Sequence, residues 1–128
     1  MGADMLGTWS GQASLLIGGN DIKTSIATTV TATETTSGTC ALRMEIIEAS
    51  YKLCGYKFEG PLTWEPGAGE WQGMLETSDG GPNNHSTTFD VGASPRIGDR
   101  LALSIEIAQS TNELCLDRTI EGNLARAE

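Results

Sequence analysis

The stretch GTWSGQASLLIGG, residues 7–19, decides the fold of this chain. Four of its apolar side chains share one parity, which is the period of a strand buried on one face. These residues are Trp9, Ala13, Leu15 and Ile17. The glycine pair that closes the stretch, followed by Asn20 and Asp21, is typical of a hairpin turn. The stretch therefore predicts a strand from about Thr8 to Ile17 that leads directly into a second strand.

Alternation of apolar and polar residues continues through the rest of the chain, whereas helical periodicity is scarce. Glycine-rich and polar segments separate the alternating runs and predict turns. The eight predicted strands are residues 8–17, 22–33, 40–49, 51–64, 71–77, 85–92, 100–109 and 114–126. Residues 40–49 are also compatible with a helix, because Leu, Met and Glu are good helix formers.

Short turns join the eight predicted strands in simple sequence order, within one domain that spans residues 1–128. An antiparallel up-and-down barrel satisfies this order and removes both sheet edges. A β-sandwich is the alternative, but it needs long crossovers between sheets, which the chain does not indicate. The sequence therefore predicts an all-β fold, an eight-stranded barrel whose interior has room for side chains or for one small ligand.

The composition is that of a turn-rich globular protein, since 38% of the 128 residues are hydrophobic, 20% are charged and 16 are Gly. The formal net charge of -9 makes binding to nucleic acid or to an anionic membrane surface unfavourable. No segment has the apolar length of a membrane-spanning helix, and the first residues lack a signal-peptide pattern. We therefore expect a cytoplasmic protein that binds neither nucleic acid nor membranes.

The three cysteines, Cys40, Cys54 and Cys115, form no CxxC motif, and His85 is the single histidine. This pattern does not indicate a metal site, and no motif indicates a cofactor. We expect buried free thiols, as in a reducing compartment, and a disulfide between Cys40 and Cys54 across a hairpin is the alternative.

Gly7-Thr8-Trp9 on the first strand of an eight-stranded antiparallel pattern resembles the calycin superfamily, which comprises lipocalins, fatty-acid-binding proteins and avidins. The central residues 56–73 are similar to small lipocalin-like bacterial domains of unassigned function. The resemblance implies that Trp9 plugs one end of the barrel and that a basic side chain from the last strand packs across its indole. Arg126 has the position for this contact, so that Gly7, Trp9 and Arg126 form a predicted structural seam. Gly-Thr-Tyr, which avidins carry, is missing, and the resemblance does not reach a subfamily.

Five of the seven aromatic residues fall between residues 51 and 71, a concentration that could line the pocket of a flat apolar ligand. Packing of the barrel's own core is the alternative explanation. The predicted ligand-binding residues are Met44, Tyr56, Phe58, Trp64, Trp71 and Phe89. Met74 is a further candidate for the lining, since methionine adapts to irregular shapes.

Three functions are compatible with these features. The first is the binding of a small apolar or aromatic molecule in the barrel cavity. The second is a cofactor-free barrel enzyme of the cyclase or isomerase type, in which Glu48 and Tyr56 would move a proton. The third is a structural homodimer without a ligand, whose contact surface would be the threonine-rich second strand.

Overall fold

The computed structural model of the chain is a closed β-barrel of eight antiparallel strands. It describes residues 4–17, 22–36, 39–46, 57–79, 86–111, 115 and 118–127. The strands are β1 (Gly7–Ile17), β2 (Ile22–Thr36), β3 (Thr39–Ile46), β4 (Lys57–Glu65), β5 (Glu70–Asp79), β6 (Thr87–Arg96), β7 (Arg100–Ser110) and β8 (Arg118–Arg126). Each strand pairs with the next one in the chain, and β1 also pairs with β8. The predicted all-β up-and-down barrel is confirmed, and the sandwich alternative is wrong.

Strand alternation sorts the side chains into an apolar interior and a polar outer wall. In β3 the buried residues are Cys40, Leu42, Met44 and Ile46. Arg43 and Glu45, which lie between them, are exposed. The strand prediction is thus confirmed over Thr39–Ile46 and the helix alternative is wrong there, because a helix would not bury every second side chain. Residues 47–49 lie outside the described part of the chain.

Two side chains proposed above to line a ligand pocket lie outside the barrel interior. Trp64 has the inward parity of Phe58, yet it occupies the end of β4 beside the turn at 66–69, and 45% of its surface is exposed. Met74 has the opposite parity from Trp71 and is 47% exposed on the outer wall of β5. Neither residue lines the barrel interior in this structure.

The connections between strands differ between the two ends of the barrel. At the end where β1 begins, they span residues 37–38, 66–69 and 97–99. At the opposite end they span residues 18–21, 47–56, 80–86 and 111–117. We call these the short-turn end and the long-connection end. Because loops tolerate sequence change better than strands do, the fold leaves most room for function at the long-connection end.

Among the described residues, Cys115 alone has helical backbone, of the 3₁₀ type. No helix among these residues has the length and hydropathy needed to cross a membrane. The strands therefore provide nearly all of the framework on which functional groups are placed.

Candidate functional site

Trp9 closes the short-turn end of the barrel. Its side chain is 1% exposed, and its Nε1 donates a hydrogen bond to the carbonyl oxygen of Met5 at 3.2 Å. Trp9 pairs with Arg126 across β1 and β8, and the guanidinium carbon of Arg126 lies 4.1 Å from the indole centroid. A guanidinium over an aromatic face is attracted by the ring quadrupole. The structure thus brings together the two side chains of the predicted seam.

Arg126 also fixes the segment that precedes β1. Its two terminal nitrogens donate to the carbonyl oxygens of Leu6 and Asp4, the second at 2.9 Å. Its Nε donates to Oδ1 of Asp99 at 3.2 Å. Gly7 has a φ of +120°, and a Cβ there would lie 2.8 Å from Nη1 of Arg126, so glycine suits this position best. These contacts give the seam a structural role.

The three tryptophans all lie at the short-turn end. Trp64 at the end of β4 is paired directly with Trp71 at the start of β5. Their ring centroids are 5.6 Å apart with an interplanar angle of 59°, and Trp71 is only 4% exposed. Two of the predicted ligand-binding residues therefore pack against each other near the plug formed by Trp9.

Met44, Phe58 and Phe89 lie toward the long-connection end and are all fully buried. Met44 is the direct cross-strand partner of Phe58. The ring of Phe58 on β4 lies 4.2 Å, centroid to centroid, from the ring of Phe89 on β6, at an interplanar angle of 41°. Because only β5 separates β4 from β6, the two rings meet on the inner side of the barrel, over β5. The remaining predicted ligand-binding residue, Tyr56, lies outside the described residues.

Hydroxyl groups and one guanidinium border the long-connection end. Thr77 Oγ1 accepts a hydrogen bond from the backbone nitrogen of Thr87 at 2.7 Å and donates one to its carbonyl oxygen at 2.8 Å. The side-chain oxygens of Thr87 and Ser110 are 2.9 Å apart. Arg118, the first residue of β8, has a buried Nε that no described residue hydrogen-bonds. An acceptor supplied by a ligand would satisfy this donor.

The predicted catalytic residues Glu48 and Tyr56 lie outside the described residues, as does His85. Among the carboxylates that the structure does describe, Asp90 stands directly opposite Glu106 on the outer wall, in a groove of about 540 Å³. No group of three His, Cys, Asp or Glu side chains in the described ranges is arranged to hold a metal ion. The enzyme hypothesis therefore stays a prediction.

The cysteines are in two different states. Cys40, in β3, is a buried free thiol, and its burial raises its pKa to about 11. Such a thiol remains protonated and poorly reactive at neutral pH. Cys115 is fully buried and disulfide-bonded. A disulfide between Cys40 and Cys54, which the sequence left possible, is therefore ruled out. The expectation of buried free thiols is confirmed for Cys40 but wrong for Cys115.

Two partners of the seam escaped the sequence analysis. Asp99 accepts from the Arg126 side chain, and its carbonyl oxygen also accepts from the backbone nitrogen of Arg126 at 3.0 Å. Met5 supplies the carbonyl that binds the Trp9 indole. Topology could have predicted the contact with Asp99, because the turn that contains Asp99 and the end of β8 lie at the same end of an up-and-down barrel.

The barrel architecture is the feature by which this chain can be related to other proteins. No model of a protein family matches the chain, and no curated protein matches it either. The closed, eight-stranded antiparallel barrel is compatible with a calycin-like fold. Since one fold hosts many functions, the function has to be argued from the site.

Proposed function

We propose that the protein binds a small apolar or aromatic molecule inside the barrel, at the long-connection end. The observation that carries this proposal is the difference between the two ends. Trp9 and Arg126 block the short-turn end. The opposite end has the longer connections, of which residues 47–56 are the longest. Binding residues lie preferentially on loops that a rigid scaffold positions. A barrel built in this way is suited to take up a ligand from one side only.

The apolar part of the ligand would contact the side chains that face the interior at this end. Met44, Phe58 and Phe89 are the predicted lining residues there, and Ile107 packs against the same core. Because the two phenyl rings are buried and in contact inside the barrel, the ligand would lie between these rings and the long connections. This arrangement favours a small ligand, for which burial of about 200 Å² of apolar surface contributes about 5 kcal/mol.

Arg118 supports a ligand that also carries a hydrogen-bond acceptor. Its Nε is buried and lacks a hydrogen-bond partner among the described residues. Leaving a buried donor unsatisfied costs about 1–3 kcal/mol, so a ligand acceptor at this nitrogen would be stabilised. We therefore propose an apolar or aromatic body with an acceptor group as the ligand class.

The proposal agrees with a calycin-like identity, which we also propose at the level of the superfamily. The contact between Trp9 and Arg126 is the arrangement that the resemblance implies. A cytoplasmic location stays a prediction. The disulfide at Cys115 argues against it, because disulfides persist mainly in oxidising compartments.

Titration with two fluorescent probes tests the proposal. Anilinonaphthalene sulfonate carries both an aromatic body and an acceptor, and N-phenylnaphthylamine has the aromatic body without the anion. We expect saturable one-to-one binding of both probes. NMR should then show shifts of the Phe58 and Phe89 ring resonances, while the exposed Trp64 indole N–H resonance at the opposite end stays in place.

The variant Arg118→Gln tests the contribution of the acceptor group separately from that of the aromatic body. We expect it to weaken the sulfonate probe about tenfold and to leave the neutral probe unaffected. Arg43→Gln, on the outer wall of β3, is the matched control and should change neither. The absence of saturable binding of either probe, or shifts confined to outer-wall residues, would contradict the proposal.

A further inference from the structure

The disulfide of Cys115 identifies its partner by elimination. A disulfide joins two cysteines, and the chain contains three, Cys40, Cys54 and Cys115. Cys115 is disulfide-bonded, whereas Cys40 is a free thiol. Cys54 lies outside the described residues, so its part in the bond follows from this count alone. A bond within the chain therefore joins Cys115 to Cys54.

The two cysteines precede strands that lie opposite each other in the barrel. Cys54 comes three residues before β4 begins at Lys57, and Cys115 comes three residues before β8 begins at Arg118. In the closed ring of eight strands, β4 and β8 are four places apart in either direction. Both strands begin at the long-connection end. A bond between the two cysteines therefore connects opposite sides of that end.

The dimensions of the barrel allow this bond to span the end. Eight strands spaced about 4.8 Å apart give a ring at least about 12 Å across, which the tilt of the strands widens. The Cα atoms of a disulfide are about 4.4–6.8 Å apart. Three residues of extended chain reach at most about 10 Å. The segments before β4 and β8 can therefore cover the distance that the disulfide leaves.

Burial places the bond over the interior and not along the rim. Cys115 is 0% exposed and belongs to the hydrophobic core cluster of the barrel. A sulfur that followed the rim would contact solvent. Ile46, the last residue of β3, and Thr87, the first residue of β6, are 0% and 1% exposed. The interior is thus covered at this end, and Cys115 is part of the cover.

We propose that Cys54 and Cys115 form a covalent strap across the long-connection end, which limits access to the interior. The strap is the disulfide between these two residues. The statement about access rests on the proposed function, which places the ligand between the phenyl rings and this end. Because Trp9 blocks the short-turn end, a ligand that enters the barrel has to pass the strap. The strap therefore sets the rate of entry.

Formation of the strap is an oxidation of two thiols. The thiols of Cys54 and Cys115 lose two electrons and two protons as the S–S bond forms. Glutathione disulfide accepts both, and its own S–S bond breaks to give two glutathione molecules. Cys40 takes no part, because it is a buried free thiol near the start of β3, at the short-turn end.

Tryptic mapping without a reductant tests the pairing in the full chain, after oxidation with glutathione disulfide. Cleavage after Lys and Arg places Cys54 in residues 53–57, Cys115 in residues 101–118 and Cys40 in residues 24–43. We expect the first two peptides to be linked, with the mass of two hydrogens lost, and the third to carry a free thiol. A Cys115 that is free, or that is linked to a second chain, would overturn the proposal.

Stopped-flow mixing with N-phenylnaphthylamine tests the effect on access. The double variant Cys54→Ala/Cys115→Ala lacks the strap, so its association rate constant should be at least about tenfold higher than that of the wild type. Cys40→Ala retains the strap and is the matched control, for which we expect an unchanged rate constant. Equal rate constants with and without the strap would contradict its role in access.

Hydrogen exchange distinguishes a failure of this inference from a failure of the proposed function. The Thr87 amide, which donates to Thr77 Oγ1, should exchange at least about tenfold faster in the double variant. The Ala127 amide, which donates to Thr8 at the short-turn end, should not change. The wild-type chain before and after reduction with a phosphine gives the same comparison if the double variant does not fold. Absence of probe binding in both proteins would refute the proposed function alone, whereas unchanged exchange at Thr87 would refute the strap.

Discussion

The two ends of the barrel differ in the side chains they carry and in the length of their connections. At the short-turn end, one buried indole, one guanidinium and main-chain carbonyls are joined by specific contacts between β1 and β8. Toward the long-connection end, Phe58 and Phe89 pack against each other in the interior, and the longest connection at this end spans residues 47–56. The difference indicates that the first end maintains the closure of the barrel and that the second is free to vary with function.

The largest effect should come from Trp9→Ala. Trp9 is 1% exposed, and truncating a buried aromatic side chain lowers the free energy of unfolding by about 4 kcal/mol. Trp64→Ala removes the same atoms at the same end but from a half-exposed position, so the expected loss is below about 1 kcal/mol. Urea denaturation of both variants measures the difference, and equal losses would show that Trp9 is not the plug.

Arg126→Gln removes the cation above the indole and the donors to the main chain before β1. We expect a loss of about 2 kcal/mol in the free energy of unfolding, because both a cation–π contact and charged hydrogen bonds disappear. Arg100→Gln is the control, since Arg100 is exposed and donates to the side chain and main chain of Asn123. A loss for Arg100→Gln as large as that for Arg126→Gln would contradict the assignment of the seam.

Phe89→Leu probes the opposite end. The change conserves most of the buried volume, so the free energy of unfolding should fall by only about 1.5 kcal/mol. Hydrogen exchange distinguishes the two ends further. We expect faster exchange in β6 near Phe89 and unchanged exchange at the hydrogen bond between Ala127 and Thr8. Exchange that accelerates equally at both ends would show that the ends are not independent.

The thiol of Cys40 makes stability depend on alkaline pH. Its pKa is raised by burial from 9.0 to about 11, so the folded state favours the protonated form. Below pH 9 this contribution is fully present, and it is lost as pH rises through about 11, because the unfolded chain then releases the proton more readily. The free energy of unfolding should drop by about 1 kcal/mol between pH 8 and pH 10. Cys40→Ala should not show that part of the slope.

Asp99→Asn should have the smallest effect. The ion pair with Arg126 has a carboxylate that is 74% exposed, and an exposed pair contributes about 0.5 kcal/mol or less. Asn tolerates the positive φ of 56° at this position, so the variant isolates the charge from the backbone conformation. Thermal melts of both proteins at low and high salt measure the loss of stability. A loss that does not decrease with salt would assign the effect to the turn instead of the ion pair.

Much of the fold could be predicted because the strands are joined in sequence order and alternate in polarity. Cys40, Leu42, Met44 and Ile46 are buried as that alternation predicts. The contact of Trp9 with Arg126 also followed from an antiparallel closure. These features depend on neighbours in sequence or on adjacent strands, which a pattern of residues records directly.

The predicted ligand-binding set was less well defined by the sequence. Parity places Trp64 on the inward side, but its position at the end of β4 leaves it half-exposed. Closeness in sequence suggested one aromatic cluster, whereas β4 and β5 run in opposite directions and carry Phe58 and Trp71 to opposite ends. The disulfide at Cys115 depends on long-range proximity, which cysteine spacing does not encode.

The pairing of β1 with β8 has a consequence for the engineering of this barrel. The backbone nitrogen of Ala127 donates to the carbonyl oxygen of Thr8 at 2.8 Å, so the first and last strands lie side by side at the short-turn end. Because every strand pairs with two neighbours, the chain could begin at any strand and form the same barrel. A circularly permuted chain, in which a short linker joins residues 4 and 127 and the turn at 66–69 is opened, keeps every strand pair. Both the new junction and the new ends would lie away from the long-connection end, which could then be varied on an unchanged ring.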